Sequence, residues 1–278
     1  AAAQALFEKA HPALLGFSSP RAWSYALIGI QAYLSRFGGD SEVRRIRDQL
    51  SARLLDLYRR NAGPGWPWVE DILAYANGSI AQALILAGRS QADPELQAAG
   101  IKSLEWLVEI QTDPRGHFVP VGNKGWYPRG GEKARFDQQP IEALAMIEAC
   151  GEAYASTGDP RWLTTAIKTF LNVLRAIPSF IYAVLFVYMV GLGPFPGVLG
   201  IGVGTFVMLG KLFAETLESV HPAPIEAVKA VGGSSAQVFV YGMLPQALPQ
   251  FLSHTLYAWE LNISAATIMG VVGAAYYS

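Results

Sequence analysis

The sequence predicts an all-α protein whose two halves fold in different surroundings. Charge is unevenly spread, because residues 1–167 hold 17 of the 21 Lys and Arg and 18 of the 22 Asp and Glu. Residues 177–210 carry no charged side chain at all. The N-terminal half instead shows apolar residues at helical spacing, separated by short turns. We therefore expect a soluble helical domain over 1–167 and a membrane fragment over 168–278.

The soluble half repeats one plan, in which a helix, a short turn ending in Asp and a second helix follow each other. Asp40, Asp93 and Asp159 precede the second helices, where a carboxylate accepts hydrogen bonds from free N–H groups. These residues are 53 and 66 positions apart, and helical hairpins at such a period indicate an α/α solenoid or toroid. The predicted helices cover 23–37, 42–60, 72–87, 96–110, 140–155 and 161–170. Three hairpins correspond to the N-terminal half of a six-hairpin toroid.

The loops before the first helices combine aromatic rings with carboxylates and amides, as sugar-binding sites do. The candidate sugar-binding residues are Trp66, Trp68, Glu70, Trp126, Tyr127, Arg129, Asp137 and Gln138. Glu70 and Asp137 also suit an acid/base pair of the glycosidase type. The alternative is structural, with Asp137 as a helix cap and the tryptophans as packing residues. We assign no catalytic residue, and whether this half is enzymatic stays open, with a non-enzyme favoured.

Three strings in this half carry a resemblance: Trp66 to Glu70, Gly125 to Gly131 and Phe136 to Ala143. They resemble a bacterial family of six-hairpin (α/α)6-toroid proteins, glycosidase-like in architecture, described as glycosyltransferase-associated and linked to mannoside metabolism. The resemblance covers about residues 10–167. The remaining hairpins of that family, expected after Leu163, are absent from this sequence.

The uncharged run over 177–210 is long enough for two short spans with a turn at 191–196, since a bilayer-spanning helix needs about 20 apolar residues. A third span is expected from Leu244 to Glu260. His254 and Glu260 lie in or near that span, and ionisable groups there are functional candidates by default. Glu260 at an interface, with its carboxylate in the headgroup region, is the alternative.

The segment between the second and third spans contains Glu226-Ala227, then Gly232, then Leu244-Pro245 after a fixed interval. This spacing resembles the EAA loop of ABC importer permeases, the MetI-like transmembrane domain. Val228 and Gly242 depart from the general consensus, and Gly242 looks like the phosphonate-importer branch. Further similarity to that branch lies at 174–177, 190–195, 210–215 and 270–274.

The resemblance implies a phosphonate-transport permease whose loop, Glu226, Ala227, Gly232, Leu244 and Pro245, docks into an ABC ATPase subunit. A plain solvated loop between helices is the alternative. It also implies a periplasmic substrate-binding protein, a second permease copy and membrane lipid as partners, in the bacterial inner (cytoplasmic) membrane. Lys168, Arg175, Lys211 and Lys229 would share the cytoplasmic side, as the positive-inside rule expects, which places the N-terminal half in the cytoplasm.

Composition argues against nucleic-acid binding, an intrachain disulfide and a metal site. A net charge of −1 gives no basic footprint for nucleic acid. Cys150 is the single cysteine, so an intrachain disulfide cannot form. No His, Cys, Asp or Glu cluster shows metal-ligand spacing, and no cofactor is expected.

The two resemblances meet near 167–171 without a Gly, Ser or Pro linker. We therefore expect a fusion or chimera of two fragments, in which the first and last permease spans are missing. Two function classes stay open. One is an ABC permease component, and the other is a carbohydrate-active or sugar-binding toroid with an attached membrane segment.

Overall fold

The computed structural model describes residues 6–7, 9–114, 116–191 and 193–277, leaving aside the side chains of Ser179 and of residues 268–277. The chain divides into an N-terminal unit, Ala1–Phe170, and a C-terminal unit, Leu171–Ser278. The boundary lies three residues after the predicted one. Leu192 in the predicted turn, and the side chains of 270–274, lie outside the described residues.

Ten helices of nine or more residues make up most of the described chain. In the N-terminal unit they are α1 Pro20–Leu34, α2 Ser41–Asn61, α3 Asn77–Gln91, α4 Pro94–Ile110, α5 Pro140–Thr157 and the start of α6 Pro160–Ala176. In the C-terminal unit they are α7 Ser179–Val190, α8 Pro194–Glu218, α9 Pro222–Ala230 and α10 Leu244–Tyr277. A 3₁₀ helix, His11–Gly16, precedes α1, and a π-helix, Val238–Met243, precedes α10.

The predicted helix starts at the three Asp residues are confirmed. Asp40 accepts hydrogen bonds from the backbone N–H groups of Glu42 and Val43, and Asp93 accepts them from Glu95 and Leu96. Asp159 accepts one from Arg161 N at 2.9 Å. These bonds satisfy N–H groups that have no partner within the helix, and for Asp40 they lower the pKa of the carboxyl.

One predicted helix begins later than expected, and a small sheet takes its place. The helix predicted from Ile72 starts at Asn77, because Ile72–Leu73 (β1) pairs antiparallel with Tyr127–Pro128 (β2). This pairing partner lies more than fifty residues away, beyond the reach of local periodicity. The prediction of helices alone is therefore corrected by one two-stranded ladder.

The N-terminal unit has a continuous core in which α3 packs against α1, α4 and α5. Gly78 permits the close approach of α3 to α5, because a Cβ there would lie 2.4 Å from the carbonyl carbon of Ala145. Half of a toroid ring is not established by these contacts, and it stays a prediction.

Within the C-terminal unit, α8 packs against α7 and α10. Of the described helices, α8 alone is long and apolar enough to cross a membrane singly, and Pro160–Ala176 with Phe180–Val190 passes the same test as a bent pair. Of the two spans predicted over 177–210, the second corresponds to α8, and the first, which corresponds to α7, stays a prediction because it passes the test only together with α6. The 12 residues of α7 extend about 18 Å, short of a hydrocarbon core of about 30 Å.

Candidate functional site

The candidate coupling segment, residues 221–246, is built around the nine-residue helix α9. Pro222 occupies its first turn, and the imidazole Nδ1 of His221 accepts a hydrogen bond from Ala223 N at 3.2 Å. Glu226 and Ala227 are exposed, and no residue of α9 is buried. The predicted residue Glu226 therefore lies on a helix whose side chains are open to solvent.

Two glycines close the C-terminal end of α9. Gly232 has a φ of +81°, a conformation that residues with a Cβ rarely adopt, and its N–H donates to Lys229 O at 2.9 Å. The N–H of Gly233 donates to Val228 O at 3.0 Å. Gly232 thus supplies the sharp turn at the end of α9.

The start of α10 contacts α9 through the π-helix. Leu244 is half-buried and Pro245 is exposed, and both stand in the first turn of α10. Gly242 is buried, and a Cβ there would lie 3.2 Å from Ile225 Cα. Gly242, the position that departs from the general loop consensus, is therefore where the two elements approach closely.

The two intramembrane candidates differ in their surroundings. His254 is half-buried, and its Nε2 lies 3.4 Å from the hydroxyl of buried Thr216 on α8. Glu260 is exposed and forms no ion pair within the described part of the chain. His254 therefore links two helices, whereas Glu260 faces outward.

The sequence interpretation missed a second polar contact between the same helices. Thr205 Oγ1 lies 2.9 Å from Asn262 Oδ1. Both residues line an apolar groove of about 660 Å³ between α8 and α10. Neither Thr nor Asn carries charge, so the charge pattern that revealed the spans gave no sign of this pair.

In the N-terminal unit, Trp66 and Trp68 do not present their rings to solvent, contrary to the expectation for sugar stacking. Trp66 is 4% exposed and Trp68 is fully buried. Their ring centroids lie 4.8 and 6.3 Å from that of Trp106 on α4. Aromatic packing in the core explains both residues, because edge contacts at these distances stabilise buried rings.

The remaining candidates lie on loops that the β1–β2 ladder and an isolated bridge join. Glu70 binds Arg21, with Oε2 2.6 Å from Nη1, and the Arg21 guanidinium lies 5.1 Å from the ring centroid of exposed Tyr75. Trp126 stands 6.1 Å from that ring. We call Arg21, Glu70, Tyr75 and Trp126 the aromatic–acid patch.

The other predicted contacts have structural partners of their own. Tyr127 packs 5.3 Å from Trp66, and Arg129 donates to the carbonyl of Asn61 at 2.9 Å. Gln138 donates to Pro120 O at 3.1 Å, and Asp137 is exposed with a φ of 59°. Trp126 also has a positive φ, 56°, a costly conformation for a bulky residue.

A buried polar network continues from the patch into the core. Glu142 is 2% exposed, and its carboxylate accepts hydrogen bonds from Asn77 N at 2.9 Å and Gln111 Nε2 at 3.0 Å. Arg21 joins the network by donating to Asn77 Oδ1 at 3.1 Å. Burial raises the pKa of the Glu142 carboxyl, although the hydrogen bonds from Asn77 and Gln111 oppose the rise. Glu142 lies within the string from Phe136 to Ala143, but the sequence analysis predicted no structural or functional role for it.

Among the residues that the structure describes, no group of three or more His, Cys, Asp or Glu stands close enough to hold a metal ion. The single cysteine, Cys150, is buried in α5, and burial raises the pKa of its thiol to about 12. Neither unit therefore offers a metal centre or a reactive thiolate in its described part.

A comparison with known proteins gives a family match for the C-terminal part of the chain. Residues 153–276 match the family described as binding-protein-dependent transport system inner membrane component. The match covers less than half of the chain, and it includes the candidate coupling segment. The match begins inside α5, earlier than the predicted boundary at 168.

Three individual relatives are named as permease proteins. The chain is 46% identical over 107 residues to the phosphite transport system permease protein PtxC of Stutzerimonas stutzeri, covering 38% of this chain and 39% of that protein. It is 37% identical over 135 residues to the putative phosphite transport system permease protein HtxC of the same organism, covering 49% and 45%. The phosphate-import permease protein PhnE of Mycolicibacterium smegmatis is 38% identical over 107 residues, covering 38% and 20%. The chain thus spans less than half the length of each of these three relatives. No solved structure matches it significantly.

Proposed function

We propose that the C-terminal unit works as the membrane permease component of an ABC importer for a small phosphorus oxyanion of the phosphonate or phosphite class. The observation that carries this proposal is the coupling segment. It combines an exposed Glu226, a left-handed Gly232 and the close packing of α9 on the start of α10. A match to transport-system permeases over the same residues supports it.

Helix α9 then docks into a groove of the cytoplasmic ATPase, and the partners are that ATPase, a periplasmic substrate-binding protein and a second permease copy. The membrane is the bacterial inner membrane. With α9 in the cytoplasm, Lys211 near the end of α8 lies toward that side, as the positive-inside rule expects. The proposal puts the N-terminal unit in the cytoplasm too, which requires the bent pair Pro160–Ala176 with Phe180–Val190 to form a second crossing.

Substrate selectivity in this proposal comes mainly from the binding protein. The described part of α8 and of α10 offers an oxyanion few cations, and Lys211 already has Glu215 Oε1 3.6 Å from its Nζ and Asn172 Oδ1 at 3.4 Å. The polar groups between the helices, Thr205 with Asn262 and Thr216 with His254, are neutral or weakly basic. The helices therefore supply a path of low affinity.

Charge reversal at α9 tests the docking. Glu226→Lys in the full chain should abolish co-purification with the ATPase subunit of the Stutzerimonas stutzeri phosphite transport system, because it places a cation where the groove receives a carboxylate. Glu132→Lys makes the same change at an exposed site of the N-terminal unit and is the matched control. Equal co-purification of both variants and the unaltered chain would refute coupling through α9.

A second candidate function, carbohydrate binding by the N-terminal unit, rests on the aromatic–acid patch. Two rings with solvent access stand beside a paired carboxylate and guanidinium, a combination that stacks on sugar C–H faces and binds hydroxyls. Mannosides titrated against the full chain should change its tryptophan fluorescence, and Trp126→Ala should remove the change. Tyr154→Ala, at an exposed ring on α5, is the control. An unchanged response in Trp126→Ala would exclude the patch.

A further inference from the structure

One side-chain amide connects α9 to α10, the long helix that follows it. Gln246 Oε1 accepts a hydrogen bond from His221 N at 3.0 Å, and its Nε2 donates to His221 O at 3.3 Å. The same Nε2 donates to Gly242 O at 2.6 Å. Gln246 therefore brackets the residue that caps α9 from the first turn of α10.

These hydrogen bonds matter because α9 contributes no buried side chain that would hold it in place. No side chain of α9 is buried, so the hydrophobic effect fixes it weakly. Its backbone instead passes close to Gly242, where a Cβ would lie 3.2 Å from Ile225 Cα and 3.3 Å from Pro224 O. The hydrogen bonds of Gln246 and this backbone contact act on the same helix from two points.

We propose that Gln246 is a positioning residue, which sets the orientation of α9 relative to α10 so that movement of the docked helix reaches the membrane helix. This inference rests on the proposed function, since it assumes that α9 is the element the ATPase moves. Gln246 touches neither substrate nor nucleotide in this scheme. Its role is to make α9 and the start of α10 move as one body.

Gln246→Ala in the full chain, held in lipid nanodiscs, tests the inference at the level of structure. Amide hydrogen exchange over residues 221–231 should accelerate on the order of tenfold, as expected for two lost hydrogen bonds that are partly exposed. Gln250→Ala is the matched control, because Gln250 is an exposed glutamine one turn further along α10. Gln246→Glu keeps the acceptor for His221 N but loses the donor, so its exchange should be intermediate. Unchanged exchange over α8 verifies that each variant is folded.

The second measurement is binding of the Stutzerimonas stutzeri phosphite-system ATPase subunit to each variant. A positioning residue predicts weaker binding by Gln246→Ala and unchanged binding by Gln250→Ala. Faster exchange with unchanged binding would show a merely structural contact and overturn the proposal, as would unchanged exchange. If even the unaltered chain fails to bind while exchange responds as expected, the coupling function itself fails and the positioning role falls with it, although the contact between Gln246 and α9 stands.

Discussion

The two units distribute large apolar side chains in opposite ways. In the N-terminal unit Trp68, Ile30 and Leu84 are completely buried. In the C-terminal unit Tyr188 is 91% exposed and Trp259 is 64% exposed. The buried hydrophobic residues described there are few: Leu171, Val207, Val238, Ala247 and Ala258. We therefore expect the first unit to fold in water, and the proposed function implies that lipid covers the exposed apolar side chains of the second.

Removal of detergent is the strongest test of this contrast. Without lipid, the purified chain should lose nearly all of its soluble material, because α7, α8 and α10 would expose apolar side chains to water. Ultracentrifugation before and after detergent adsorption measures the loss, and transfer into nanodiscs should prevent it. A monodisperse chain in plain buffer would break the comparison.

Truncation of the buried carboxylate tests how far the first unit depends on its polar interior. Glu142→Ala leaves donors on Asn77 and Gln111 without an acceptor, and it should lower the free energy of unfolding by about 2–4 kcal/mol. Denaturant unfolding followed by tryptophan fluorescence reports on this unit, since six of the seven tryptophans belong to it. Glu148→Ala, at an exposed carboxylate on the same helix, should change little. Equal stability of both variants would contradict the role given to the network.

Two glycines sharpen the comparison at the level of packing. Gly78→Ala forces a Cβ to within 2.4 Å of the Ala145 carbonyl and should destabilise the N-terminal unit by about 1–3 kcal/mol. Gly151→Ala adds the same atom into open space on α5, and there it should stabilise by about 0.5–1 kcal/mol through the lower entropy of the unfolded chain. Thermal unfolding of both variants checks the opposite signs, and a shared sign would show that α3 and α5 are less tightly packed than described.

The last prediction is a pH dependence, and its direction is what the measurement tests. The pKa of Glu142 is raised above its ordinary value of 4.5 by burial. Below 4.5 both the folded and the unfolded state carry the proton, and above it the folded state binds more protons until its own pKa is passed. The unfolding free energy of the unaltered chain should therefore fall with rising pH, relative to Glu142→Gln, from about 4.5 upward and then level off. A difference between the two chains that rises with pH would mean that the hydrogen bonds outweigh burial.

Local features were predictable from the sequence, and features assembled over distance were not. Caps at Asp40, Asp93 and Asp159 depend on residues two or three positions away, so their helix starts were correct. The ladder that delays α3 pairs residues 72–73 with 127–128, which no local pattern reveals. The division near residue 170 lies close to the change in charge composition, which the sequence shows because composition is a property of long segments.

The candidate sites divide along the same line. The coupling segment is contiguous, so spacing alone could select Glu226, Gly232 and Leu244, which lie on a helix, in a turn and at a helix start, while their docking role stays a prediction. The tryptophans at 66 and 68 were misjudged, because composition cannot distinguish rings that bind a ligand from rings that pack on Trp106. The network at Glu142 draws on four separate helices and loops, and it has no linear pattern.

The glycine at position 242 has a consequence for how this protein can change. A Cβ there would lie 3.2–3.3 Å from the backbone of residues 224–225, so that backbone would have to shift by a few tenths of an ångström, whatever side chains those residues carry. The backbone of residues 224–225 and the glycine at position 242 therefore depend on each other, and we expect a change in one to favour a compensating change in the other. If the loop of another importer is grafted onto this protein, residues 221–246 should be replaced together, since a partial graft would separate the helix from the glycine on which it packs.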